Sequence, residues 1–419
     1  MSRRLTLVCL SLVLAAAPAA AQLADLYVRG FVSQGYLNSS HNNYLVPNSR
    51  DGSSEFHEAA VSLQAHPEER LRVGLQFLAR DFGDVGNNDV LIDWAYADYQ
   101  WQDYMGVRLG KFKTTQGLYG QGRDVDMLRP TVLLPQAVYN EDHRDFILGV
   151  EGLGFYGNVP LGEGGGLDYE IYGGTLNVPD PDAGFWYNIL AQAGEEAARL
   201  SPLDSPTARI RFDGVAENDV HFDWLYGGSL RWNTPLEGLT LGVSGITGRF
   251  DMHSRLVYSV EDPAANPSYY AINNLVDFQG DLGRSVVFSA EWSRDDVTLA
   301  AELAQEEVNG LVGEGYYLQA SAHASERTTV TAYYSRYVRD KSDPSGHNFE
   351  RYGYPDYVAW QNDVCAAVRH DATEHLVLKG EYHVVDGLGL LSPALNDLGD
   401  PDAYKRWWSF MAFKATVHF

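Results

Sequence analysis

The residues best suited to chemistry in this sequence are charged side chains of both signs, many of them gathered between residues 106 and 145. No catalytic pattern accompanies them: the sequence contains no His-x-x-x-His pair, no Gly-x-Ser-x-Gly motif and no Cys and His residues at metal-binding spacing. We therefore predict no catalytic residue, no metal and no cofactor. Opposed charges can instead order water and orient small polar solutes, as charged rings and walls do in membrane pores.

The elements that must position these charges are β-strands, and the clearest one is the last stretch, Arg406–Phe419. Every second residue back from Phe419 to Met411 is apolar. A period of two places these side chains on one face of a strand, in an apolar medium. A strand that finishes on an aromatic residue resembles the signal that the barrel-insertion machinery reads in bacterial outer-membrane proteins. The last strand of a soluble sandwich is the alternative for this stretch.

Segments of about ten residues with alternating polarity, the length of a tilted barrel strand, recur along the chain. We predict sixteen strands, at Leu26–Leu37, Glu55–Ala65, Arg70–Phe82, Asp89–Trp101, Tyr104–Thr114, Phe146–Gly157, Leu167–Asn177, Val220–Trp232, Leu239–Asp251, Arg284–Arg294, Val297–Glu307, Gly315–Ser325, Thr328–Arg339, Tyr357–Arg369, Glu374–Val385 and Arg406–Phe419. Connections are mostly tight after even-numbered strands and long after odd-numbered ones, which predicts short periplasmic turns and long extracellular loops. The predicted fold is all-β, a transmembrane antiparallel β-barrel of about 16 strands, with 14 or 18 as alternatives.

The N-terminus has the organisation of a secretory signal peptide. Two arginines precede an apolar run, and small residues follow it, so we predict cleavage after Ala21 and a single β-barrel domain over residues 22–419. One cysteine, Cys365, then remains, which excludes an intramolecular disulfide. The net charge of −25 argues against a nucleic-acid partner. We expect the chain to lie in the bacterial outer membrane, in contact with lipid and lipopolysaccharide.

A more specific pattern is Gly-Lys-Phe-Lys at Gly110–Lys113, followed by Gly117. This segment and the long connection after it resemble a strand and loop of the porin O/P family, sixteen-stranded trimeric channels that include phosphate-selective members. The resemblance implies a homotrimer, and a loop at about residues 115–145 that folds into the barrel as a constriction. It also implies that Lys111 and Lys113 lie near the constriction. On their strand these lysines share a face with Val107 and Leu109, which we assign to lipid. Either a bulge shifts the register here, or these lysines stand above the bilayer.

The residues predicted to line the pore or its constriction are Arg72, Arg80, Arg108, Lys111, Lys113, Arg123, Asp124, Asp126, Arg129, Glu141 and Arg144. The strand faces further predict a basic wall and an opposing acidic wall, formed by Arg29, Arg70, Arg72, Arg80 and Arg108 on one side and by Glu151, Glu170, Asp223, Glu291 and Glu302 on the other. Such a field favours small polar solutes. The alternative for the loop charges is that they pair with each other and hold the loop's shape. The acids at Asp180–Asp182 and Glu261–Asp262 are either solvated or ligands for Ca²⁺.

Together these patterns predict an outer-membrane porin through which small hydrophilic solutes or ions diffuse passively. A channel specific for an oxyanion or an organic acid is the first alternative. The second is a non-channel barrel, either an enzyme or a sheath for a partner. Its lumen would be plugged by Ala183–Arg209, in which Ala193–Leu200 has helical composition.

Overall fold

In the computed structural model, the described residues are 26–83, 86, 88–141, 144, 149–176, 184–200, 209–261, 270–308, 310–351, 353–392, 395–396 and 402–419. The predicted signal peptide lies outside them, and so do the acids at 180–182 and 262.

The described chain contains sixteen β-strands. Their bounds are β1 Leu26–Ser39, β2 His57–Glu68, β3 Leu71–Asp81, β4 Val90–Gln102, β5 Met105–Lys113, β6 Gly149–Pro160, β7 Gly166–Thr175, β8 Arg209–Asn233, β9 Leu239–Glu261, β10 Tyr270–Arg294, β11 Val297–Val308, β12 Leu311–Ser325, β13 Thr328–Val338, β14 Trp360–Thr373, β15 Leu376–Gly387 and β16 Trp407–His418. Each strand pairs with the next in sequence, and β1 pairs antiparallel with β16, so the sheet closes into a barrel. Closure gives every strand two hydrogen-bonded neighbours and leaves no edge. The predicted sixteen-stranded antiparallel barrel is confirmed.

Side chains alternate between an inner and an outer face along the strands, as the period of two requires. In β16, Lys414 and Thr416 are buried inside the barrel, whereas Phe413 and Val417 point outward and are 51% and 53% exposed. The same alternation in other strands leaves large apolar residues exposed on the outer face, such as Leu109 and Leu318. An apolar outer face on a closed barrel is the surface that contact with lipid requires.

Strands β8, β9 and β10 are much longer than predicted. Parts of the connections expected at residues 178–219 and 252–283 belong to these strands instead. The extension of β8 carries exposed polar residues such as Arg209, Arg211 and Glu217. Because these residues break the apolar alternation of a lipid-facing strand, the sequence pattern predicted a loop there.

A β-bulge in β8 also corrects a predicted face. Asp223 was expected on the acidic inner wall, which places its neighbours Phe222 and Trp224 together on the outer face. The ladder with β9 shifts register between them, so that Asp223 has no partner. Phe222 therefore points inward and is buried, and Leu225, next to Trp224, is buried inside as well. One extra residue in a bulge exchanges the faces of the residues that follow it.

Among the described residues a long helix, α1 at Gly184–Leu200, lies between β7 and β8 and includes the segment that was expected to be helical. It packs against the inner wall of β8 and β9. The ring centroids of Trp186 and Phe250 are 4.7 Å apart, and those of Trp186 and Phe222 are 6.0 Å apart. In the part of the chain that is described, no helix is long and apolar enough to cross a membrane.

Candidate functional site

The described part of the segment between β5 and β6, called here the inner loop (residues 114–141 and 144), runs through the interior of the barrel. The Gly117 amide donates to Ser244 Oγ on β9 at 2.9 Å, and the Leu118 amide donates to Glu302 Oε1 on β11 at 2.8 Å. Gly117 has a φ of +66°, and a Cβ there would lie 2.6 Å from Glu302 Oε1. Only glycine fits this turn without strain.

The middle of the inner loop is held by strand β15 of the barrel wall. The amides of Val132 and Leu133 donate to the Glu381 carboxylate on β15, at 2.8 Å to Oε2 and 3.1 Å to Oε1. The stretch Thr131–Leu134 is fully buried. Since β9, β11 and β15 lie around the barrel, the inner loop is tied to separate parts of the inner wall.

Within the inner loop, Asp126 is the centre of a group of buried charges. It accepts from Arg129 Nη2 at 2.9 Å and from the Thr416 hydroxyl at 2.7 Å. Lys379 Nζ lies 3.2 Å from Asp126 Oδ2, and Lys414 Nζ lies 3.3 Å from Oδ1. The inner loop is thus joined by ion pairs to β15 and β16.

Arg144 is a second centre of ion pairs in this group. Its Nε donates to Asp124 Oδ1 at 2.6 Å, and its Nη1 lies 3.2 Å from Glu141 Oε2. It also pairs with Glu58 on β2, as do Arg129 and Lys414.

Further cations extend the group at its edges. Lys113 pairs with both Asp93 and Asp124. Arg80 and Arg123 approach Glu141 at 3.8 Å and 3.7 Å. We call the whole group the anchor cluster, which comprises Glu58, Arg80, Asp93, Lys113, Arg123, Asp124, Asp126, Arg129, Glu141, Arg144, Lys379 and Lys414.

The cations of the anchor cluster keep the acids of the inner loop ionised. Burial by itself raises the pKa of Asp126, but Lys414, Lys379 and Arg129 outweigh burial and hold that pKa well below its usual range. The pKa of Asp124 is likewise lowered, because Lys113 and Arg144 outweigh the opposing effect of burial. Buried ion pairs of this kind hold a geometry rather than add much net stability, whereas removal of one partner is costly.

Most of the predicted constriction residues belong to the anchor cluster, namely Arg80, Lys113, Arg123, Asp124, Asp126, Arg129, Glu141 and Arg144. The structure brings them together within the inner loop and on the wall beside it, where they are buried and contact each other or the wall. This arrangement agrees with the alternative given for the loop charges, in which they pair with each other and hold the loop's shape. Direct contact of these residues with a permeant solute stays a prediction.

Arg72 and Arg108 occupy a different place, on the inner wall toward the rim that carries Leu26 and Phe419. Arg72 Nη2 donates to Asp98 Oδ2 at 2.6 Å, and Arg108 Nη1 donates to Glu170 Oε1 at 3.1 Å. Both guanidinium groups lie over the Tyr96 ring, at 5.5 Å and 5.0 Å from its centroid. The Arg72 side chain remains 36% exposed, so it can meet solvent.

Two cavities border Arg108 and Gln121 on this side of the inner loop. The first, the basic cavity, has a volume of about 490 Å³ and is lined by Arg29, Arg72, Arg108 and Lys113 together with aromatic and polar residues. Among its lining residues, all within the described ranges, no Asp or Glu occurs. The second, the mixed cavity, has a volume of about 460 Å³, and its charged lining residues are Asp103, Arg108, Asp168, Glu170 and Arg231.

Lys111 lies elsewhere than its predicted position at the constriction. In the ladders it is opposite Ala95 and Glu151, and it alternates with the fully buried Phe112. Its side chain therefore points to the outer face, where Nζ donates to the Ile92 carbonyl at 2.8 Å. Glu151, expected on an acidic inner wall, is exposed on the same outer face. Residues that are paired in neighbouring strands project to the same face, so Lys111 and Glu151 are on the outer face together.

Sequence reasoning missed the wall residues that receive the inner loop. Lys379 and Glu381 on β15 are buried and alternate with the exposed Leu378 and Tyr382. Charged residues on the inner side of an alternating strand were a usable signal for an interior contact. That signal does not show which segment of the chain contacts Lys379 and Glu381, so their contact with the inner loop could not be predicted.

The chain matches no protein-family model and no curated protein. In fold it is similar to OmpF of Salmonella typhi in complex with daunomycin, with a TM-score of 0.54 at 10% identity over 94% of this chain and 97% of that chain. It is also similar to the outer membrane channel DcaP of Acinetobacter baumannii, with a TM-score of 0.50 at 9% identity over 94% of this chain and 97% of that chain. At these identities the likeness is one of fold, and the fold is that of bacterial outer-membrane proteins.

Proposed function

We propose that this protein is an outer-membrane porin that lets small hydrophilic solutes or ions diffuse passively, and that it works as a homotrimer rather than as an enzyme. The proposal rests on the position of the inner loop. It is tied across the interior of a closed barrel by the anchor cluster, while polar cavities stay beside it. A loop held in this way narrows a passage and fixes its width.

The outer-membrane location rests on the barrel itself. A closed sheet satisfies all backbone hydrogen bonds within the barrel wall, and the outer face carries apolar residues. Solved barrels of this fold, including a channel, are bacterial outer-membrane proteins. The predicted signal peptide is consistent with export to that membrane.

A second candidate is a channel that prefers anionic solutes, such as an oxyanion or an organic acid. It is favoured by the basic cavity, whose lining carries arginines and a lysine but no acidic side chain. Arg29 is exposed there and Arg72 is partly exposed. Tyr96 and Trp94 offer aromatic surfaces beside them. Charged walls of one sign select permeant ions of the other.

The test is single-channel recording of residues 22–419, refolded and inserted into a planar bilayer under a salt gradient. Conductance steps in groups of three are expected for a trimeric porin, and a reversal potential on the anion side is expected for the second candidate. A folded barrel that gives no conductance would contradict both and favour the enzyme or sheath alternative.

A further inference from the structure

A second group of buried side chains lies on the inner faces of β14 and β15, beside the inner loop. Cys365 and His383 are opposite each other in the ladder, and Glu381 lies two residues before His383 on the same face. The Cys365 sulfur, a His383 nitrogen and a Glu381 carboxylate oxygen lie within 4.8 Å of one another. All three side chains are buried.

A thiolate, an imidazole and a carboxylate are the donor groups that bind Zn²⁺ in proteins. We propose that Cys365, Glu381 and His383 form a Zn²⁺ site that fastens the β14–β15 hairpin to the inner loop.

The orientation of the His383 ring supports this site. Asp363 accepts from Nδ1, with its two oxygens at 3.0 Å and 2.9 Å. A histidine that binds a metal through one nitrogen usually donates the other N–H to a carboxylate, which fixes the ring. Phe410 stacks on the ring at 3.9 Å between centroids and holds it further.

The other ring nitrogen is turned toward the proposed site. His383 Nε2 lies 3.2 Å from Glu381 Oε1, yet it makes no hydrogen bond with any described residue. The side chain is fully buried, so this nitrogen is also shielded from solvent. A buried nitrogen without a hydrogen bond is costly unless another partner satisfies it. A metal ion would be such a partner.

Tyr333 is a candidate for the fourth ligand that a tetrahedral Zn²⁺ site requires. It is opposite Cys365 in the ladder with β13, and its ring centroid is 5.9 Å from that of His383. Its hydroxyl is buried and has no hydrogen-bond partner among the described residues.

Glu381 connects the proposed site to the inner loop, because its carboxylate accepts the amides of Val132 and Leu133. The competing arrangement has no metal: a doubly protonated His383 would form ion pairs with Asp363 and Glu381. The two arrangements differ in what they require of Cys365. The metal needs its thiolate, whereas the ion pairs do not involve it.

The experiment is to refold residues 22–419 with Co²⁺ alone and to record the absorption spectrum. Cys365 is the only cysteine in these residues, so a thiolate-to-cobalt charge-transfer band reports on this site and on no other. We expect one Co²⁺ per chain, the band, and its loss when Zn²⁺ is added.

Two variants test the ligands and their support. Cys365→Ser should fold and lose the band, and Asp363→Asn should keep it but weaken Co²⁺ binding by about 10–100-fold, as loss of an outer-shell partner does. His347→Ala, which removes an exposed histidine, is the control and should behave as the unmodified chain. A folded unmodified chain without the band, or a Cys365→Ser chain that binds Co²⁺ equally well, would overturn the proposal.

Discussion

The anchor cluster and the basic cavity both contain arginine and lysine side chains. They differ in how far these side chains are buried and in whether acidic side chains lie among them. In the anchor cluster every acid has close cationic partners and all side chains are buried or nearly so. In the basic cavity, Arg29 is exposed, Arg72 is only partly covered, and no acidic side chain occurs among the lining residues. Buried charges that pair with each other hold the geometry of the inner loop. Charges that are exposed to solvent can instead act on solutes.

Removal of one acid from the anchor cluster should have the largest effect. In Asp126→Asn, the charges of Lys379 and Lys414 lose a buried partner, so we expect the free energy of unfolding to fall by about 3–5 kcal/mol. The inner loop should loosen and single-channel conductance should become noisier. Urea unfolding and bilayer recordings measure these effects. Asp295→Asn, at a residue that is 90% exposed, is the matched control, and equal stability of the two variants would refute a structural role for the cluster.

Glu302→Gln tests the other attachment of the inner loop. Glu302 accepts from the Tyr317 hydroxyl at 2.7 Å, from Tyr139 and from the Leu118 amide. A buried polar group that is left without its hydrogen-bond partner costs about 1–3 kcal/mol, so we expect the unfolding free energy to fall by about 2 kcal/mol. Exposed Glu237→Gln is the control in the same urea titration. No difference between these two variants would show that the Glu302 contact is dispensable.

The anchor cluster should also respond to acid. The folded pKa values of Asp124 and Asp126 lie below the unfolded value of about 3.9. Their contribution to stability is therefore full above that unfolded pKa and is lost as pH falls through the folded values. Stability should be level from pH 7 to about pH 5 and decline below about pH 4, and Asp126→Asn should show a shallower decline. A wild-type decline that begins near neutral pH would point to other groups.

The smallest energetic effect is expected in the basic cavity. Because Arg29 is exposed, replacing it with Gln should leave the unfolding free energy nearly unchanged. The reversal potential in a salt gradient should nevertheless move toward cations, since one positive charge leaves the wall. Arg294→Gln, an exposed arginine outside both cavities, is the control. An unchanged reversal potential would mean that solutes do not pass through this cavity.

Strand number and closure could be read from the sequence, because a period of two in ten-residue segments is a local property. The prediction was wrong where the outward residues are polar, as in the extension of β8, and where the bulge at Asp223 exchanged faces. The candidate pore-lining residues were partly predictable, because the face of a strand residue follows from the local alternation. A charged residue such as Arg72 is visible beside its apolar neighbours, whereas the partner that neutralises it lies on another strand.

The sequence by itself determined the all-β alternating pattern and a charged loop between β5 and β6. Only the tertiary structure decided which charges would be buried together, because Asp126 meets Lys379 and Lys414 across more than two hundred residues of chain. It also decided that Cys365 faces His383, through the antiparallel register of β14 and β15. Local periodicity determines the face of a side chain, and long-range register determines its partner.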